Sequence, residues 1–229
     1  MDFSFLDKYF PYFISGTGVT IIISLVTVLL GTLIGLVMAL MKLSKNKPLN
    51  WLANIYIEVL RGTPMLLQIM IGFLVLQGLF PSRDLEVGVL TVDLGRLFPG
   101  MVVLSLNSGA YVAEIIRGGI TAINYGQSEA AFSLGLRPSQ TMRYVVLPQA
   151  LRNILPPLGN EFITLIKDSS LLTAIGINEL MGSAQIVISS SYIPLEPYFI
   201  AAALYFVMTF ATSRLLNLWE KKLGKGYQR

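Results

Sequence analysis

The chain has 229 residues, 54% of them hydrophobic and only 13% charged, with a formal net charge of +4 and a mean hydropathy of +0.66. A soluble domain carries about 25% charged residues, so lipid is the expected solvent. Cysteine and histidine are both absent, which excludes disulfide frameworks, the usual zinc sites, cysteine nucleophiles and histidine-based triads.

The N-terminal "MDFSFLDKYF" has acids before its first lysine and lacks the basic segment that opens a cleaved signal peptide. A helix that crosses a bilayer needs about 20 mostly apolar residues. Val19–Met41 is uncharged and marks a first span over about 16–42. Gly62–Ser82 is uncharged, follows "YIEVLR" and marks a second over about 55–80, where Pro64 should kink the helix. Leu97–Ala113 runs into "EIIRGG" and marks a third over about 96–117. The fourth, 154–177, is apolar but broken by Pro156, Pro157, Gly159, Glu161, Lys167 and Asp168. Irregular backbone at membrane depth survives only where protein buries it or it lines a cavity. Pro197–Ser213 is uncharged and marks a fifth over about 197–219.

Cytoplasmic loops collect lysine and arginine. Lys42, Lys45 and Lys47 lie in the first loop, Arg117, Arg137, Arg143 and Arg152 in the third, and Arg214, Lys221, Lys222, Lys225 and Arg229 in the tail. These are twelve of the seventeen bases. The second loop balances Arg83 and Arg96 against Asp84, Glu86 and Asp93, and the fourth holds only Glu179 and Glu196. The expectation is a single all-α membrane domain over 1–229. It has about five transmembrane helices, its N-terminus outside and its C-terminus inside. The net positive charge then reflects topology and not a nucleic-acid surface. Leu180–Leu195 is uncharged, but as a sixth span it would put the basic tail outside; it is expected to be an outer-surface helix or loop.

The third loop, about 118–152, is long and built from small residues: "SEAAFSLGLRPSQTMRYVVLP". Connections between helices commonly run to about 2–8 residues. Ser128 suits an N-cap, Gly135 a helix C-terminus, and Arg137–Pro138 the start of a second short helix that stops near Leu147–Pro148. "EAAFSLG", nine residues, then "VVLP" resembles the EAA loop of bacterial ABC-importer permease subunits, through Glu129, Ala130, Ala131, Gly135, Leu147 and Pro148. Val145 stands where that family usually has isoleucine. "RGTPMLLQ" from Arg61, "GAYVAEIIRGGI" from Gly109, "GQSEAA" from Gly126 and "KDSSLL" from Lys167 resemble the polar amino-acid branch.

The resemblance implies that Glu129, Ala130, Ala131, Gly135, Arg137 and Pro138 belong to a coupling helix that docks on a cytoplasmic ABC ATPase. It also implies a second permease subunit, an extracytoplasmic amino-acid-binding protein and a place in the bacterial cytoplasmic membrane. No G-x-x-x-x-G-K-[ST] loop occurs, "LGKGYQR" being too short. The expectation is a transport subunit that is not an enzyme and binds no cofactor, with ATP on the partner chain.

Ionisable residues within spans are functional candidates. Asn107, Tyr111 and Glu114 fall at i, i+4 and i+7, and Glu161, Thr164 and Asp168 at i, i+3 and i+7, so each set shares a helix face. Glu58 and Arg61, at i and i+3, suit an ion pair, as do Glu114 and Arg117. Asn107 fits core hydrogen bonding as well as ligand contact. Glu58, Asn107, Tyr111, Glu114 and Asp168 are the candidate substrate residues, around unwound backbone expected near Pro64 and Pro156–Pro157. The acids Glu58, Glu114, Glu161 and Asp168 outnumber Arg61 and Lys167. That excess favours arginine, lysine or histidine as substrate, with glutamine or glutamate the alternative. A self-sufficient secondary transporter is the other class, but no internal repeat supports it. A membrane enzyme lacks the motifs it would need.

Overall fold

Residues 5–224 are described by the computed structural model, without the side chains of 222–224. Lys225, Arg229 and the Lys222 side chain, part of the expected basic tail, lie outside the described residues. Helix α1, Leu6–Leu43, begins well before its uncharged stretch and carries Pro11 in its interior. At about 1.5 Å per residue it is long enough to cross a bilayer and project beyond it. The second span is not one kinked helix but two, α2 Lys47–Gly62 and α3 Met65–Leu76, set at 112°. Thr63 and Pro64 between them are extended. Proline pushes the preceding residue out of the helical region, so two residues leave the helix together and the direction changes.

Residues 84–93 form a hairpin, β1 Asp84–Val87 against β2 Leu90–Asp93, with Gly88 at φ +63° in the turn. Asp93 then caps α4, Leu94–Thr121, by accepting from the Gly95 amide at 2.8 Å. Of the most apolar 18 residues of α4, 72% are buried, which makes it the central post; for the terminal helix α9, Glu196–Gly224, the share is 6%. Three helices are long and apolar enough to cross a membrane, or up to five if each of two bent pairs counts as one span.

α1 and α4 pack closely because Gly31 and Gly35 face Ser108, Gly109 and Val112. A Cβ on Gly31 would sit 2.8 Å from Ser108 Oγ, and one on Gly35 2.6 Å from Val112 Cβ. Small residues four apart let helix backbones approach in lipid.

After α4 come α5, Tyr125–Ser133, and α6, Pro138–Thr141. The second short helix does not stop near Leu147–Pro148. It widens into a π-turn over Met142–Val146 and runs on as α7, Leu147–Asp168. Pro148 would clash with the carbonyl four residues back, at Tyr144, and the wider turn falls on that carbonyl. Pro156 and Pro157 lie inside continuous α7 and do not unwind it. The irregular backbone comes later, as a 3₁₀ segment over Ser169–Ile175 that ends at Gly176 with φ +79°.

The uncharged Leu180–Leu195 stretch contains α8, Leu180–Ser191, which packs Leu180, Ala184 and Val187 against the start of α1 and Ala201 of α9. Its twelve residues span about 18 Å, too short to cross. Glu179, expected as a loop acid, is fully buried at its N-cap. Its carboxylate accepts from the Met181 and Gly182 amides at 2.7 and 3.0 Å and from Thr173 and Thr20 at 3.0 and 3.1 Å. Tyr205 of α9 also donates to it. One carboxylate thus ties α1, the 3₁₀ segment, α8 and α9.

The hairpin and α8 gather at one end, near Ser15 and Gly16 of α1. α5 and α6 lie beyond the far end of α4. One apolar cluster centres on Ile23, Ile69, Leu104 and Leu172. Another centres on Ala39, Ile57, Ala110 and Ala150. Asn107 falls between the two along α4.

Candidate functional site

Pro64 has no amide hydrogen, so the Leu60 carbonyl loses its helical donor. Two side chains replace it: Gln68 Nε2 donates at 2.7 Å and Asn107 Nδ2 at 3.1 Å. Gln68 Nε2 also donates to the Thr63 carbonyl and hydroxyl at 3.0 and 2.7 Å. The elbow is thereby fastened to α4.

Beside the elbow is a cavity of about 280 Å³ lined by Thr63, Met65, Asn107, Tyr111, Glu161, Thr164 and Asp168. That is near the lower bound of the range for small-molecule sites, about 300–1,000 Å³. The polar faces read on the third and fourth spans meet here, across the break in the second. Three of the five candidate substrate residues, Asn107, Tyr111 and Asp168, line it. Glu58 and Glu114 do not.

Glu58 is exposed and makes no ion pair among the described residues. Its expected partner Arg61 lies over the ring of Tyr111, 5.2 Å from the centroid. Glu114 has the same heptad position as Asn107, but it lies two turns nearer the C-terminal end of α4. There it pairs with Lys42 of α1 at 2.6 Å and with Arg117 at 2.8 Å. Met65, Thr63 and Gln68 were not read as candidates, although "TPMLLQ" holds two polar residues in an otherwise apolar run.

Glu161 and Asp168 form no ion pair among the described residues. Removing unpaired acids from water is costly unless a cation or proton meets them. The cavity wall therefore attracts positive charge. It has no Cys, His or cluster of metal-ligating residues among the described residues.

At the far end α5 starts at Tyr125, one turn before the expected Ser128, because the Asn124 side chain accepts from the Gly126 amide at 2.8 Å. Asparagine caps a helix as well as serine does. Gly135 has φ +82°. The Leu136 amide donates to the Ala131 carbonyl and the Gly135 amide to that of Phe132, at 3.1 and 2.9 Å. This is a Schellman ending. Arg137 and Pro138 open α6. Only Ala131 of α5 is buried; Glu129, Ala130 and Phe132 are exposed, as is Leu134 after it. The described residues thus form a helical bundle with a polar cavity between its two ends and an exposed short helix, α5, at one of them.

Residues 31–225 match the family described as binding-protein-dependent transport system inner membrane component, and the chain belongs to it. It is 38% identical to the arginine transport system permease protein ArtQ of Bacillus subtilis (strain 168), over 97% of both chains. It is 38% identical to the putative glutamine transport system permease protein GlnP of Rickettsia felis, over 96% of this chain and 98% of that one. A crystal structure of an amino acid ABC transporter with histidines superimposes with a TM-score of 0.87 and 44% identity, covering 97% and 99% of the chains. The chain is a membrane permease component of an amino-acid ABC importer, a transport subunit whose ATPase activity lies in a separate subunit.

Proposed function

We propose that the cavity beside the elbow is the substrate site and that it takes an amino acid with a cationic side chain. The observation that carries this reading is the placing of Glu161 and Asp168 on one cavity wall without an ion-pair partner among the described residues. Arg61, stacked on Tyr111 at the cavity edge, offers a guanidinium to the substrate carboxylate. The names of relatives support an amino acid of polar type; arginine and histidine among them favour the cationic choice, and glutamine favours a neutral one.

In the same reading the chain binds no cofactor and sits in the bacterial cytoplasmic membrane beside a second permease subunit. Its α5–α6 segment docks on a cytoplasmic ATPase that holds ATP. An extracytoplasmic binding protein delivers substrate at the hairpin end.

Asp168→Asn and Glu161→Gln keep size and remove charge. In the reconstituted importer, each is expected to reduce arginine uptake about tenfold or more while glutamine uptake falls less, since an uncompensated charge contact is worth more than about 1.4 kcal/mol. Equal losses for both amino acids would remove the charge-selection reading.

A further inference from the structure

Gln68 does not line the polar cavity; it lies on the other side of the elbow, against Val59, Leu67 and Val103. Its hydrogen bonds nonetheless determine what Asn107 presents to a ligand. The Leu60 and Thr63 carbonyls can only accept. Both take hydrogens from Gln68, at 2.7 and 3.0 Å, so the Gln68 amide nitrogen must face them. Its oxygen is then turned toward Asn107 and accepts from Asn107 Nδ2 at 2.9 Å. The second Nδ2 hydrogen goes to the Leu60 carbonyl at 3.1 Å. Both donors of the Asn107 amide are therefore spent within the protein. Its oxygen has no donor among the described residues, and the residue is only 8% exposed, on the cavity wall.

We infer that Gln68 is a positioning residue for substrate specificity: through the orientation of Asn107 it makes that cavity wall accept hydrogen bonds and not donate them. The inference rests on the cavity being the substrate site. An amide free to turn would greet the oxygen of a neutral amide side chain as readily as the N–H groups of a guanidinium. An amide locked as an acceptor, beside Glu161 and Asp168, leaves a buried oxygen unpaired whenever the ligand lacks a donor there. Sites of that kind discriminate strongly, because the mismatch strands a buried polar group.

The test is direct binding of arginine and of glutamine to the purified, assembled importer, for the wild type, Gln68→Leu, Asn107→Leu and the double variant. Thermal unfolding of each sample checks that it is folded. The wild type should prefer arginine. Gln68→Leu should cut that preference about tenfold, and should change it less than twofold when Asn107 is already leucine, because residues acting through one another are not additive. Gln68→Met keeps the side-chain length and can neither accept from Asn107 nor donate to the two carbonyls; it should lose the preference in the same way, and it serves if the leucine variant does not fold. A wild type without preference would overturn the cationic-substrate reading and this inference with it. A wild-type preference that survives in the Gln68 variants, or an equal loss of affinity for both amino acids, would overturn the role of Gln68 alone.

Discussion

The acidic residues Glu58, Glu114, Glu161, Asp168 and Glu179 fall into four different surroundings. Glu114 is held between Lys42 and Arg117, so its charge is already answered and it serves the joint between α1 and α4. Glu58 faces outward from α2. Glu179 is answered by hydroxyls and amides alone. Glu161 and Asp168 line the polar cavity without an ion-pair partner among the described residues. Glu114→Gln should therefore weaken the fold without altering substrate choice: loss of one member of a partly buried ion triad costs about 1–3 kcal/mol, read as a lower unfolding temperature with an unchanged arginine-to-glutamine ratio. A shift in that ratio would return Glu114 to the substrate path. Glu58→Gln should leave both quantities within error.

At the scale of elements, two breaks and one close crossing shape the cavity. The Thr63–Pro64 elbow and the change from α7 to the 3₁₀ segment after Asp168 interrupt helices on either side of α4. The interrupted backbone at Thr63 is satisfied by protein side chains, as any such break within a membrane requires. The crossing of α1 over α4 at Gly31 and Gly35 holds the central post upright. Gly35→Leu would drive a branched side chain into Val112, whose Cβ and Cγ1 lie 2.6 Å from the first added atom. Overpacking of about 1–3 kcal/mol or more is expected, seen as lost thermal stability and low yield of the assembled importer. Gly18→Leu on the same helix, where a Cβ meets nothing within 4 Å, should be tolerated and is the control.

For the whole molecule, the polar cavity lies between an end that carries the hairpin and α8 and an end that carries α5 and α6. The bases named in the first and third loops fall at the α5–α6 end, so that end is expected in the cytoplasm. A reporter enzyme fused after Arg229 should be active only on the cytoplasmic side, while one inserted at Gly88 in the hairpin turn should report the outer side. Reporters active on the same side would require an odd change in the number of crossings and would remove the five-span arrangement.

The apolar runs and the turn after α5 were legible because they are local properties. Lipid selects composition over about 20 consecutive residues, and a Schellman ending needs a glycine at one position, here Gly135. The shared faces of Asn107 with Tyr111 and of Glu161 with Asp168 were legible for the same reason, since helical periodicity is set by the backbone alone. Which acid would find a base was decided only in three dimensions. Lys42 is 72 residues from Glu114, and Arg61 turned from its near neighbour Glu58 to the ring of Tyr111. The severity of the Pro64 break, the continuity of α7 through Pro156 and Pro157, and the burial of Glu179 were settled in the same way. Each depends on whether a distant side chain supplies the hydrogen bond that the local backbone lacks, and spacing along the chain carries no record of that.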